Sequence, residues 1–391
     1  MTEEVVLVTG VSGYIGSHVA KVLLEEGWRV RGTVRSLEDT QRCDALKALV
    51  PDAKHALELV EADLTKDDGW DKAVLEAVWC IHCASLKGLT VGTDSQAEAT
   101  KRLLAACAAA KTLKRVVLTS CINTVCDDQK FELSVINPSF VMGPPLLESH
   151  KSSTSVNFMA QMVNRSLPGV VRIAFPVTDV RDVAKAHLKA LTAPEAANNR
   201  HIVSTDTIWI KDAAATVAKE FKPQGYSIPT GQLPYFVCWV AGLFNKNMKS
   251  NILPRIGKQF NVDNKRMVEV LGVEPTAIES TLHDMVYALV DLGIVKKAKK
   301  YKLAGSRAEV PAVNGDVEDE KKEENTEKTK EGTENTEEEK KELEPEDKEK
   351  TDGEEIKEES KEEEKTEENK ENKESEEAQS EEKKEENEAE K

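Results

Sequence analysis

Short apolar runs alternate with helical patterns along the first part of the chain. The first run, residues 5–8, leads into a glycine-rich turn and an amphipathic helix that ends at Gly27. Strands that alternate with helices in this way build parallel, doubly wound sheets. The pattern therefore predicts an α/β fold with six sheet strands. The five further strands are predicted at residues 28–34, 55–60, 78–83, 115–120 and 133–137.

The alternation ends near residue 206, and helical patterns take over. Helices are predicted at residues 211–221, 264–271 and 278–292, and an earlier alanine-rich helix at 94–110. This change predicts a smaller C-terminal substrate lobe over the carboxyl edge of the sheet, where ligands bind in such folds. We expect a Rossmann-type domain over residues 1–205, the lobe over 206–302 and a separate tail over 303–391.

The charge of the chain is concentrated in that tail. Residues 311–391 carry 37 acidic and 16 basic side chains, a net charge of −21, whereas the rest of the chain carries +4. The same segment has no aromatic residue, so it cannot bury enough apolar surface to fold. We expect a disordered acidic tail that either solvates the protein or binds a basic protein partner. The negative charge of this tail repels phosphate groups, which argues against nucleic acid as a partner.

Cysteine usage and the N-terminus bear on location and on metal binding. The first apolar segment is short and broken by glycine, and seven cysteines are scattered along the chain, so we expect a cytoplasmic protein without a membrane partner. Cys80 and Cys83 have the spacing of a metal pair. On a strand, however, residues three apart point to opposite faces, so no metal site is predicted.

The glycine turn after the first strand carries the strongest functional signal. Gly10 allows a sharp turn, Gly13 allows close approach of a diphosphate, and Gly16 allows tight packing of the helix on the strand. The helix N-terminus that follows favours an anion. A single such motif also occurs in ordinary turns, but the strand and helix around it favour a dinucleotide site. The contacts predicted there are Thr9, Gly10, Gly13, Tyr14, Ile15 and Gly16.

The residues after the second and third strands indicate which dinucleotide is bound. NAD-dependent proteins usually place a carboxylate after the second strand, whereas this chain has Arg35, with Arg42 nearby. A guanidinium suits a 2′-phosphate, so NADP (NADPH) is favoured over NAD. The alternative is that Arg35 is a solvated strand-end cation. Asp63 and Leu64 are candidates for the adenine contact, and Asp63 alone also fits a helix cap.

Several motifs follow one another in order along the chain. They are the glycine turn, Val34-Arg35-Ser36, Asp63-Leu64, His82-Cys83-Ala84-Ser85, Arg115 to Ser120, Ile136-Asn137-Pro138, Met142-Gly143-Pro144 and Asp179 to His187. Together they resemble one family, the extended short-chain dehydrogenase/reductases, and within it the dihydroflavonol-reductase-like group. The resemblance implies NADP(H)-dependent reduction of a ketone or aldehyde, with further cofactor contacts at Ala84 and Pro138. His187 lies in the last motif and is interpreted as packed or solvated.

The resemblance has a gap at the catalytic helix. The family carries a Ser or Thr after the fifth strand, which polarises the carbonyl, and a Tyr-x-x-x-Lys pair on the next helix. The polarising position falls on Cys121, a weaker donor, with Ser120 as a substitute. None of the five tyrosines has a lysine four residues later. Only residues 121–132 separate the fifth and sixth strands, which is too short for a strand link and a covering helix together.

We therefore hypothesise that this segment has been removed from a longer parent sequence, by splicing or in the gene model. Loss of four or five buried helix side chains would forfeit on the order of 6–15 kcal/mol of burial energy. Two functions remain open: a reductase slowed by the missing acid, or a non-catalytic cofactor-binding isoform with a partner-binding tail.

Overall fold

The computed structural model describes residues 3–86, 93–119, 131–245 and 248–302. The described residues all fall within one compact unit of the chain. The predicted tail, from residue 303 onward, lies outside the described residues. No helix among the described residues is long and apolar enough to cross a membrane.

The main sheet has seven strands in the order β3-β2-β1-β4-β5-β6-β9, and every neighbouring pair is parallel. This confirms the predicted doubly wound architecture, and β9 is an addition to it. A second sheet joins β7, β8 and β10. The strands are β1 Val5–Thr9, β2 Arg29–Val34, β3 Glu58–Glu61, β4 Ala77–His82, β5 Arg115–Thr119, β6 Glu132–Pro138, β7 Phe140–Met142, β8 Ala174–Asp179, β9 Arg200–Val203 and β10 Asp206–Trp209.

Helices cover both faces of the main sheet. The α-helices are α1 Tyr14–Glu25, α2 Thr40–Lys47, α3 Trp70–Val74, α4 Thr93–Ala110, α5 Thr154–Val163, α6 Val180–Thr192, α7 Ile210–Phe221, α8 Tyr235–Phe244, α9 Lys265–Glu269 and α10 Ile278–Asp291. Short 3₁₀ or π segments occupy Glu148–Ser152, Pro194–Ala196, Met248–Ile252 and Leu253–Arg255.

Alternation along β1 divides the sheet side chains between two cores. Val6 and Val8 pack with α1 and α6, whereas Leu7 packs on the opposite face with α3 and α4. Both faces are buried because successive strand residues point to opposite sides. Each core is built from helix positions three or four residues apart, such as Leu103 and Cys107 on α4.

The α4 face of the sheet becomes less covered from β5 toward β9. Val116 and Leu118 of β5 are buried there, Leu133 of β6 is half-buried, and Ile202 of β9 is 38% exposed. Strands β5 and β6 still pair directly, with Arg115 opposite Glu132 and Thr119 opposite Ile136. The link of residues 120–130 between them lies outside the described residues.

A further core, separate from the two on the faces of the main sheet and called the second core below, forms around the small sheet. It joins segments from both sides of residue 206. It contains Met159 and Met162 of α5, Phe221 of α7 and Met285 of α10. Tyr14, at the start of α1, belongs to this core as well. The first turn of α1 therefore packs against the second core, while the rest of the helix packs against the main sheet.

Candidate functional site

The turn between β1 and α1 has room for glycine only. Gly10 has φ +70°, and a Cβ placed on it would lie 2.7 Å from the Cα of Ala84. A Cβ on Gly16 would lie 2.2 Å from the carbonyl oxygen of Gly10. Real Cβ atoms do not approach backbone this closely, so the turn and the start of the helix are pressed together as the sequence predicts.

Hydrogen bonds from β2 and from the turn itself hold this backbone in place. The Gly10 N–H donates to the hydroxyl of Thr33 over 3.2 Å, and the Gly13 N–H donates to the Gly10 carbonyl over 2.9 Å. Gly13 is the N-cap of α1, and no side chain caps this end among the described residues. The first N–H groups of a helix have no intrahelical acceptor, so they are free to bind an anion.

A groove of about 720 Å³ opens at this turn, at the carboxyl ends of the strands. It brings together eight of the predicted cofactor contacts: Gly10, Gly13, Tyr14, Arg35, Arg42, Asp63, Leu64 and Ala84. The groove is also lined by residues that the sequence reasoning missed, from the loop after β4 and from residues 148–153. These are Ser85, Leu86, Ser149, His150, Ser152 and Ser153.

Charged groups stand at the end of the groove formed by β2 and β3. Arg35 is exposed immediately after β2, and within the described parts of the chain it forms no ion pair. Arg42 pairs with Asp39 over 3.1 Å. Asp63 accepts hydrogen bonds of 2.8 Å from the N–H and the hydroxyl of Thr65. These bonds, chiefly that from the Thr65 N–H, lower the pKa of Asp63, and the positive charge of Arg35 adds to the effect.

Three of the other predicted contacts lie behind the groove and support it. The Thr9 hydroxyl is buried, lies 2.6 Å from Nδ1 of His82, and accepts the N–H of Ala84. Ile15 packs against the α1–α6 core of the main sheet and against the second core, and Gly16 is buried under the Gly10 carbonyl. Thr9 therefore positions the Ala84 backbone that forms one wall.

The predicted carbonyl-polarising residues, Ser120 and Cys121, lie outside the described residues. The last described residue before them is Thr119 at the end of β5, and Pro138, at the end of the neighbouring β6, is half-buried. Thr119 Oγ1 lies 2.7 Å from Nε2 of His187 and 3.2 Å from Sγ of Cys83. Because Nδ1 of His187 donates to the Val183 carbonyl, Nε2 accepts from the threonine, which in turn accepts from the thiol.

This chain of polar groups is neutral. Burial lowers the pKa of His187 to about 4 and raises the pKa of Cys83 to about 12, so at neutral pH the imidazole is uncharged and the thiol keeps its proton. The histidine is packed, as its place in a predicted helix indicates. Cys80 packs in the α3–α4 core, whereas Cys83 packs against the α1–α6 core on the opposite face of the sheet. This is the arrangement expected for residues three apart on a strand.

All five tyrosines belong to the described residues, and one of them lines the groove. Tyr14 is buried, and its hydroxyl donates to the carbonyl of Gly143 over 2.7 Å. Burial raises the pKa of this phenol well above its ordinary value, so it keeps its proton. Tyr226, Tyr287 and Tyr301 pack on one another in the second core, and Tyr235 is exposed on α8.

The motif from Asp179 to His187 has a structural role at the start of α6. The fully buried Asp179 caps the helix by accepting the Arg181 N–H over 2.7 Å, and it also accepts the hydroxyl of Thr281 on α10. The guanidinium of Arg181 bridges Asp179 and Asp284. This network joins α6 to α10 of the second core.

Comparisons with known proteins agree with this architecture. Residues 6–133 match the NAD dependent epimerase/dehydratase family. An uncharacterised oxidoreductase of Schizosaccharomyces pombe is 28% identical over 284 residues, covering 56% of this chain and 83% of the relative. Cinnamoyl-CoA reductase 1 of Arabidopsis thaliana is 27% identical over 338 residues, covering 74% of this chain and 90% of the relative.

Solved structures of reductases share the fold of this chain. Yeast methylglyoxal/isovaleraldehyde reductase Gre2, solved with NADPH, matches with a TM-score of 0.57 and 24% identity, covering 74% of this chain and 99% of that one. Vestitone reductase from alfalfa matches with a TM-score of 0.56 and 21% identity, covering 74% and 99%. At these identities the likeness shows the fold.

The plant relative is longer than this chain within the matched region. The match extends over 338 residues, whereas 74% of this 391-residue chain is about 289 residues. Some 50 aligned positions of the relative therefore have no residue here.

Proposed function

We propose that this chain binds NADP(H) in the groove at the β1–α1 turn and is a reductase of small carbonyl compounds. The observation that carries the proposal is the placement of Arg35 and Asp63 at one end of a groove whose floor is the Gly10 turn. Gly10 and Gly16 let the turn pack closely against the start of α1. The first backbone N–H groups of that helix would then bind a diphosphate in the groove. Arg35 offers a bidentate donor for a 2′-phosphate.

The residues present fit the cofactor at the diphosphate and ribose end. Tyr14 and Ile15 would offer N–H groups to the diphosphate. Gly13, whose own N–H is bonded to the Gly10 carbonyl, would let the diphosphate come close to the backbone. Asp63 and Leu64 would contact the adenine, and Arg42 would assist Arg35. Ala84 and Pro138 would face the nicotinamide end, which supplies a hydride to the carbonyl when the cofactor is bound.

The substrate class is supported by the relatives, which are named as reductases. Ser120 and Cys121 remain the proposed residues that polarise the carbonyl. No described tyrosine is placed to act as the acid, because the hydroxyl of Tyr14 is engaged with Gly143. General acid assistance is worth about 10²–10⁴ in rate, so we propose slow reduction by this chain.

A non-catalytic NADP(H)-binding isoform is the second candidate. Two observations favour it. No tyrosine of the chain is followed by a lysine four residues later, and roughly 50 positions of the alignment with the plant reductase have no residue in this chain. The acidic tail would then engage a basic protein partner. A cytoplasmic location and the substrate lobe of residues 206–302 stay predictions.

Turnover separates the two candidates. Purified full-length protein is incubated with NADPH and a panel of aldehydes and ketones, and absorbance at the reduced nicotinamide band is followed. For the reductase we expect NADPH oxidation above background with at least one carbonyl, at rates about 10²–10⁴ below those of a family member that has its tyrosine. Saturable NADPH binding without any oxidation assigns the chain to the non-catalytic class.

Arg35→Ser tests the choice of cofactor. We expect the Kd for NADPH to rise roughly 10- to 100-fold and the Kd for NADH to change little, since a charge-assisted pair contributes about 1.5–3 kcal/mol. Isothermal titration calorimetry measures both. Arg29→Ser is the matched control, because Arg29 is an exposed cation at the other end of β2 and does not line the groove. An equal effect of the two changes would remove Arg35 from the phosphate site.

A further inference from the structure

Helix α8 is apolar around its whole circumference. Its sequence, YFVCWVAGLF, contains no charged residue. Only Cys238 and Gly242 are buried, and the space beside Gly242 is filled by the side chain of Leu253. A helix that is apolar all round normally lies in a protein core or in lipid. Most of the surface of α8 therefore lacks the cover that its composition calls for.

The side chains on the open side of α8 are large and aromatic. Phe244 is 87% exposed and Phe236 is 68% exposed, and Tyr235, Trp239 and Leu243 are exposed beside them. Phe260 and Val262, later in the chain, are exposed as well. None of these side chains lines the groove at the β1–α1 turn. Contiguous apolar exposure of this kind marks an interaction surface.

The charge of the chain segment that contains α8 has one sign. Residues 222–262 contain five lysines or arginines and no aspartate or glutamate. Three of these cations, Lys249, Arg255 and Lys258, are described and exposed in the segment that follows α8 and packs beside it. The whole chain carries −17, so this local cluster runs against the overall charge.

We propose that α8 is a membrane-surface anchor that inserts its aromatic side chains into the interface of an anionic bilayer. Tyr and Trp favour the boundary between lipid and water, and lysines and arginines beside an apolar helix bind acidic headgroups. Ten residues are too few to span the hydrocarbon, so the contact is peripheral. This proposal departs from the sequence expectation of no membrane partner, on grounds independent of the cofactor groove.

Two other occupants fit the surface less well. A second copy of the chain would bring the same cations face to face across a two-fold interface. A groove on another protein takes up one face of a helix, at positions such as i, i+3 and i+7, whereas α8 leaves only the Cys238–Gly242 stripe covered.

Vesicle cosedimentation of the full chain tests the anchor. We expect retention on vesicles of phosphatidylcholine with roughly 30% phosphatidylserine, and much weaker retention on phosphatidylcholine alone or at high salt. Because the whole chain is strongly negative, general electrostatic attraction would not produce this result. The combined change Phe236→Ser, Trp239→Ser and Phe244→Ser should lower retention at least tenfold, and Lys249→Glu with Lys258→Glu should do the same.

Matched controls separate the anchor from misfolding. Leu75→Ser removes a side chain that is 60% exposed on another surface, and Lys189→Glu reverses an exposed lysine of α6; both should keep full retention. All variants should bind NADPH as the unchanged chain does. Bromine-labelled lipid should quench the fluorescence of the chain, and Trp239→Phe should keep retention while losing most of that quenching.

Three outcomes would overturn the anchor. The first is that the unchanged chain stays in the supernatant. The second is equal loss of retention in the α8 variants and the controls. The third is a dimer in multi-angle light scattering that Phe244→Ser converts to a monomer, which would assign α8 to self-association.

Discussion

Gly10→Val is expected to abolish NADPH binding, with the Kd rising by more than about 100-fold, which corresponds to roughly 2.8 kcal/mol. A side chain at this position meets the Ala84 backbone, since even a Cβ would lie 2.7 Å from its Cα. The positive φ adds about 1–3 kcal/mol of strain. The turn would have to open, which moves the N-terminus of α1 away from the diphosphate. Fluorescence titration of NADPH measures the loss.

Two variants keep this prediction testable if Gly10→Val does not fold. In Gly13→Ala the new Cβ lies 3.2 Å from the Gly10 carbonyl, so the turn is retained with a small shift and the diphosphate is held farther from the backbone. We expect about a tenfold weaker Kd from it. Gly231→Ala is the control, because no atom lies within 4 Å of its added Cβ. Full affinity in Gly13→Ala would place the cofactor elsewhere.

Asp179→Ala should lower the free energy of unfolding by about 3 kcal/mol, the low end of the range for breaking a buried charge pair. The carboxylate is fully buried and accepts bonds from Arg181 and Thr281, so its loss leaves donors without an acceptor. The low end applies because the side chain of Arg181 is 34% exposed and keeps Asp284. Urea unfolding measures the change, and Asp212→Ala, at an exposed residue of α7, should alter it by less than about 0.5 kcal/mol.

The loss in Asp179→Ala should depend on pH in one direction. Burial would raise the pKa of Asp179, but the hydrogen bonds and the charge of Arg181 outweigh it and lower the pKa below its ordinary value. A lowered folded-state pKa gives stabilisation that is complete above about pH 4 and is lost as pH falls through the folded-state pKa. The difference between the two proteins should therefore narrow in acid. A difference that widens would contradict the ion-pair account.

The main sheet could be predicted from sequence because its strands are apolar runs bounded by glycine or charge. Strand β4 was expected at 78–83 and lies at Ala77–His82. Strand β3 begins three residues later than expected, because only Glu58–Glu61 finds a partner on β2. The small sheet was not predicted. Its strands are three to six residues long, and β8 pairs with β10 across an intervening helix, so no local pattern marks them.

The candidate site also combines residues that a local sequence pattern marks with residues that only packing brings together. Gly10, Arg35 and Asp63 each follow a strand that the apolar pattern marks, and parallel strands bring their carboxyl ends to one edge. Ser149 and His150 reach the groove from a segment more than 130 residues after the turn, through packing that no motif encodes. Thr119 and His187 are likewise joined only by the packing of α6 on β5.

The first part of helix α1 packs against two hydrophobic cores. The Tyr14 ring belongs to the second core, while Val19 and Leu23 of the same helix belong to the first. An anion bound at this end is therefore held by a helix that both cores fix in place. Occupancy of the groove would consequently stabilise both cores against local unfolding, and local unfolding of either core would weaken ligand binding.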